Sequence, residues 1–190
     1  TSASSEAESP APTATPEPEP VDTSAEPAPA DVNYTLNIPD VDQSRGIAFI
    51  YFAHTSVDAG PLDIYMDNNP APVVANLHYG EVTEIVWVSG GGHAFTARPA
   101  GSGANGEQLY RTDWNYTPNS TWIVLGAGLR DEFAFIVEPI SIIRNNYNGQ
   151  ARVRLVNLIA GAPRLTVRTN TGRSLGDGLG WVGVRDTLLD

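Results

Sequence analysis

Apolar and polar residues alternate with a period of two along most of this chain, the spacing that places every second side chain on one face of a β-strand. The stretch richest in strand-forming aromatic and branched residues is 47–65, I-A-F-I-Y-F-A-H-T-S-V-D-A-G-P-L-D-I-Y. Aromatic and branched residues run to His54, the chain turns at Asp58-Ala59-Gly60-Pro61, and alternation resumes at Leu62. Strands are predicted at 47–54, 62–67, 73–77, 82–88, 94–99, 108–113, 120–125 and 133–139, with one more at 140–144. Asp67-Asn68-Asn69-Pro70 reads as a turn, and the glycine-rich runs 89–92 and 101–106 read as hairpin loops. Short strands at this spacing predict an all-β chain folded as a β-sandwich of the immunoglobulin or transthyretin kind.

Two segments stand outside that module. Residues 31–46 hold an isolated period-two strand, with Val32, Tyr34, Leu36 and Ile38 on one side and Asn33, Thr35 and Asn37 on the other, followed by a linker. After the turn-rich 145–149, residues 150–190 repeat the opening at an offset of 103: Ala48 meets Ala151, Ala59 meets Ala162, Leu62 meets Leu165 and Gly80 meets Gly183. The domain plan is therefore a tail at 1–30, a strand and linker at 31–46, a sandwich at 47–144 and a partial second repeat at 150–190. Half a sandwich leaves apolar surface and strand edges open, so it needs cover from the first module or from another chain.

The opening strands also carry a resemblance. His54, Ser56, Asp58, Ala59, Asp63 and Tyr65 fall on a pattern like R-V-R-V-V-H-A-S-P-D-A-P-x-V-D-V-Y, with Ile64 in a valine slot. Tyr79-Gly80-Glu81-Val82 is similar to a following F-G-T-V, and residues 96–101, T-A-R-P-A-G, to V-x-P-A-G. These motifs resemble the secreted bacterial modules known as domain of unknown function 4397. Aromatics replace the basic residues at the start of the pattern, and Gly60-Pro61 shifts its second proline. The resemblance implies a secreted or surface-exposed β-sandwich and implies no reaction.

Charge changes the picture at one end only. The net charge is −11, but residues 1–44 hold nine acids and no base, and the other 13 acids nearly balance the 11 arginines. No basic face exists to meet phosphates, which argues against nucleic-acid binding. Residues 1–30 are acidic, Pro-, Ser- and Thr-rich and almost free of large apolar side chains, so they read as a stalk. The small-residue opening T-S-A-S-S is the kind left when a signal peptide is removed, and a lipid-bearing cysteine would have to precede Thr1. No stretch reaches the roughly 18 apolar residues needed to span a bilayer. The chain has no Lys and no Cys, which excludes lysine Schiff bases, disulfides and thiolate chemistry.

The candidate chemistry is sparse. His54, Asp58, Asp63 and Asp67 carry metal- or proton-binding groups, but Asp beside turns commonly caps backbone amides, and a structural role is the better reading. His78 and His93 stand alone. No G-K-[ST] loop and no G-x-S-x-G elbow occurs, so no catalytic, metal or cofactor site is assigned. Trp87 and Trp122 alternate with aliphatic neighbours and read as core. Trp114-Asn115-Tyr116, in a turn before Pro118, offers Trp114 and Tyr116 as a platform for a sugar ring. Asn33, Asn115 and Asn119 begin N-x-[ST] triplets, the acceptor pattern for N-glycosylation.

These features lead to the expectation of a non-enzymatic, extracellular structural protein of bacterial origin. Its copies would polymerise head to tail into a filament, Val32, Tyr34, Leu36 and Ile38 of one completing the open sheet of the next. A surface carbohydrate-binding or adhesion module is the alternative.

Overall fold

The computed structural model describes residues 32–38, 40–140 and 149–189. The stalk, residues 141–144 and most of the 145–149 turn lie outside that range. The chain divides into Thr1–Val32, of which only Val32 is described, and Asn33–Asp190, which holds every strand described below.

Thirteen strands form among the described residues: β1 (Thr35–Leu36), β2 (Ile47–His54), β3 (Leu62–Met66), β4 (Val74–Leu77), β5 (Val86–Ser89), β6 (Gly91–Pro99), β7 (Tyr110–Tyr116), β8 (Thr121–Ala127), β9 (Ala134–Ile140), β10 (Ala151–Val156), β11 (Leu165–Arg168), β12 (Ser174–Leu179) and β13 (Val184–Leu189). No described helix is long and apolar enough to cross a membrane. The first nine strands make two sheets, ordered β1-β4-β3-β6-β7 and β5-β2-β8-β9. Most neighbours are antiparallel, but β2 and β8 run parallel, Phe49 opposite Thr121 through His54 opposite Gly126.

The inward residues of both sheets close one core. Ile50 and Phe52 of β2, Leu62 and Ile64 of β3, Val86 and Val88 of β5, Phe95 of β6, Tyr116 of β7 and Val124 of β8 are almost wholly buried. Each such aliphatic or aromatic side chain contributes on the order of 1.5–3 kcal/mol by leaving water. Phe95 meets Phe52 of the other sheet edge-on at a centroid separation of 5.0 Å, which ties the two sheets together, and Tyr116 of its own sheet at 5.7 Å.

Several elements depart from the sequence pattern. The run Ser89-Gly90-Gly91-Gly92 is no hairpin loop: β5 and β6 belong to different sheets, and the chain crosses between them at Gly90. A Cβ at Gly90 would lie 2.6 Å from both the Arg45 carbonyl oxygen and Pro118 Cγ, so only glycine fits this corner. The predicted strand at 82–88 is shortened to β5, because Thr83 turns inward and its Oγ1 accepts the Phe52 N–H at 3.0 Å. Strand β7 continues to Tyr116, so Trp114, Asn115 and Tyr116 are in a strand rather than a turn. Trp87 is 50% exposed on edge strand β5, facing away from the core opposite Phe49, whereas Trp122 packs half-buried against the core.

The four C-terminal strands pair as two ribbons, β10 with β13 and β11 with β12. Their registers copy those of the opening strands. Leu62–Leu77 and Ile64–Val74, with the irregularity between them, reappear as Leu165–Leu179 and Val167–Gly176. The bridge Ala53–Val82 reappears as Val156–Val184. Leu155 and Leu179 close over Gly176, forming a small apolar centre of their own.

Candidate functional site

The motif residues at the β2–β3 corner serve the backbone. His54 ends β2 fully buried; its Nδ1 accepts the Ser56 N–H at 3.3 Å, so its Nε2 carries the proton and donates to the Gly60 carbonyl at 2.7 Å. Burial pushes the His54 pKa below the ordinary imidazole value and keeps the ring neutral. Asn157 takes the corresponding place at the end of β10 and also accepts the N–H two residues on, but it donates to a different partner, a strand carbonyl of β12. Its Oδ1 accepts the Ile159 N–H and its Nδ2 donates to the Leu179 carbonyl, each at 3.1 Å.

The carboxylates are equally occupied. Asp58 accepts the Arg130 N–H at 2.9 Å, and Asp63 accepts the N–H groups of Asn76 and Gly101, both at 2.9 Å. Asp67 receives the Ala94 N–H on one oxygen and faces His93 Nδ1 at 2.9 Å with the other, so His93 does not stand alone. No group of three or more His, Cys, Asp or Glu side chains could hold a metal among the described residues.

The N-terminal strand has a place in its own chain. Thr35 pairs with Ala75 and Leu36 with Val74, which makes β1 the outer strand of the first sheet. Tyr34 and Leu36 pack against the core, while Val32 and Ile38 remain 63% and 47% exposed. The apolar face that alternation predicted across all four residues is therefore buried only at its two middle positions. Side chains fasten both ends. Asn33 Nδ2 donates to Glu81 Oε1 at 3.0 Å, the Tyr34 hydroxyl accepts the Glu84 N–H at 2.8 Å, and Asn37 Nδ2 donates to the Pro72 carbonyl at 3.0 Å.

The expected aromatic platform does not form as a pair. Tyr116 is fully buried, its hydroxyl without a hydrogen-bond partner among the described residues and its pKa raised by burial. Trp114 is 42% exposed and stacks edge-on against Trp122, with centroids 6.0 Å apart. Trp114 instead borders a polar cleft of about 410 Å³ with Asp67, Asn68, Gly92, His93, Arg111, Asp113 and Asn115. A second cleft of about 320 Å³ shares Asp67, Asn68 and Arg111 with the first and continues past Arg98, Asn105 and Gln108. Sequence reasoning missed these partners because they come from four separate segments and share no motif. Asn33, Asn115 and Asn119, which begin the glycosylation triplets, are all exposed.

No curated protein matches the chain. The family model described as domain of unknown function DUF4397 matches residues 48–168, from the second residue of β2 to the end of β11. With well over half its length inside that match, the chain belongs to the DUF4397 family.

Proposed function

We propose that the chain is a non-enzymatic structural component of the bacterial cell exterior, a sandwich carried on an acidic Pro-rich stalk, whose copies associate by exchanging their N-terminal strand. The seat of β1 carries this reading. The strand forms two residue pairs at the rim of its sheet, is fastened by side chains, and is flanked by exposed Val32 and Ile38. An element held this way exchanges between copies at low cost, because the same pairs are remade in the neighbour.

This differs from donation by a strand with no place at home. Exchange vacates one seat on β4 and fills an identical one, so concentration and the connection through residues 37–46 set the balance. An exchange that runs from copy to copy without closing produces a filament.

The chain has no cysteine, so a designed pair gives a clean report. Thr35 and Ala75 are direct partners in antiparallel strands, a spacing that a disulfide bridges. Thr35→Cys/Ala75→Cys, oxidised at high protein concentration, should give a ladder of disulfide-linked oligomers on a non-reducing gel. Intrachain bonds alone at every concentration would rule out the exchange.

A further inference from the structure

We propose that the outer face of β6 and β7 is a binding groove for a neutral oligosaccharide, a function separate from strand exchange. Adjacent residues of an antiparallel pair share a face of the sheet, and the pairs Thr96–Arg111, Ala94–Asp113 and Gly92–Asn115 turn away from the core that holds Phe95 and Tyr116. On β6 these positions narrow from Thr96 through Ala94 to Gly92. The small residues lower the floor opposite Asp113 and Asn115 and leave a trough between β7 and the turn at Asn68. The two clefts that share Asp67, Asn68 and Arg111 run along it, and each falls within the ordinary small-ligand range of about 300–1,000 Å³.

The chemistry of the walls names the ligand class. Asn68, Asn105, Gln108 and Asn115 present amides, each a paired donor and acceptor, and none of these four side chains bonds to another described residue. Asp67 and Asp113 are matched by Arg98 and Arg111, so the groove has no excess charge with which to select an anion or a cation. Arg98 adds a buried Nε with no partner among the described residues. Balanced charge and free amides suit a chain of neutral sugar hydroxyls.

Gly92 supplies the decisive variant. A Cβ there would have no atom within 4 Å, and its φ lies outside the left-handed region, so a larger side chain enters the groove without disturbing the fold. The unmodified protein, made in a host without N-glycosylation so that Asn115 carries no sugar, is titrated calorimetrically with neutral gluco-, manno- and galacto-tetrasaccharides and with an anionic uronate tetrasaccharide. The expected result is binding of at least one neutral tetrasaccharide, weakened about tenfold or more by Gly92→Leu and by Asn68→Ala, with unchanged melting temperatures. Absence of binding to every neutral sugar overturns the proposal. So does preference for the uronate, or binding that survives Gly92→Leu. Loss of binding in Trp87→Ala, with Gly92→Leu unaffected, would move the site to the other sheet and equally overturn it. None of these outcomes bears on strand exchange, which is read from the cysteine pair.

Discussion

At the scale of single residues, the buried polar groups make distinct predictions. His54 is neutral in the fold and its pKa is lowered, with burial the largest cause, the Gly60 hydrogen bond opposing it, and His78 and Glu81 acting weakly in opposite senses. The unfolded chain therefore binds a proton more readily than the folded one, and this contribution to stability is complete above about pH 6.5. It is lost as pH falls toward the folded-state value. The urea midpoint should drop between pH 7 and pH 5, and His54→Asn should flatten that dependence, because asparagine has no titrating ring and can accept the N–H two residues on, as Asn157 does. Tyr116 makes the opposite kind of prediction: its buried hydroxyl has no partner among the described residues, so Tyr116→Phe should be neutral or stabilising by up to about 1 kcal/mol in urea denaturation. Its burial also shows what alternation alone leaves open. Trp114 and Tyr116, two apart, share a side of β7, but one lies over the core and the other reaches the rim. Trp87 sits between buried Val86 and Val88, and because successive strand residues point to opposite faces, those two in the core turn Trp87 outward, a distinction that aliphatic neighbours alone do not make.

At the scale of elements, β1 decides between two accounts of the same four apolar residues. Seated on β4 with Leu36 against the core, the strand belongs to the folded monomer. Leu36→Asp should therefore lower monomer stability, by roughly 1–3 kcal/mol, as read by thermal unfolding at low concentration. A strand idle in the monomer would leave the transition unmoved. Strands β2, β3, β6 and β8 were largely legible in the sequence because their alternation is long and their turns are marked by Asp, Asn, Gly and Pro. The chain's crossing at Gly90 was not, because a glycine run that switches sheets has the same composition as a hairpin loop. The C-terminal ribbons were partly legible. Opening residues align at an offset of 103, as Leu62 with Leu165, but the returning strand aligns at 102, as Leu77 with Leu179. A gapless comparison therefore loses half the correspondence that the hydrogen-bond registers restore.

At the scale of the whole chain, charge and core are separated along the sequence. Nine of the 22 acids precede residue 45, in a stretch without a base, while the sandwich and the ribbons are nearly balanced. Deleting residues 1–30 removes almost no large apolar side chain and should leave the melting temperature within about 2 °C of the full chain, since such a segment contributes little to a core; a larger fall would mean that it packs. Arg154 ties the ribbons to the sandwich through the Pro139 carbonyl at 2.6 Å and bonds Asp186, whose carboxyl Arg154 and Arg152 hold well below the usual range. The central claim is that copies assemble by exchanging β1, and a lock on that strand tests it most directly. Thr35→Cys/Ala75→Cys, oxidised while dilute to close the intrachain bond, is concentrated beside the unmodified protein and viewed by negative-stain electron microscopy. The account predicts filaments from the unmodified chain, discrete particles from the locked chain, and filaments again once the lock is reduced. Equal assembly by both chains, or by neither, would contradict it.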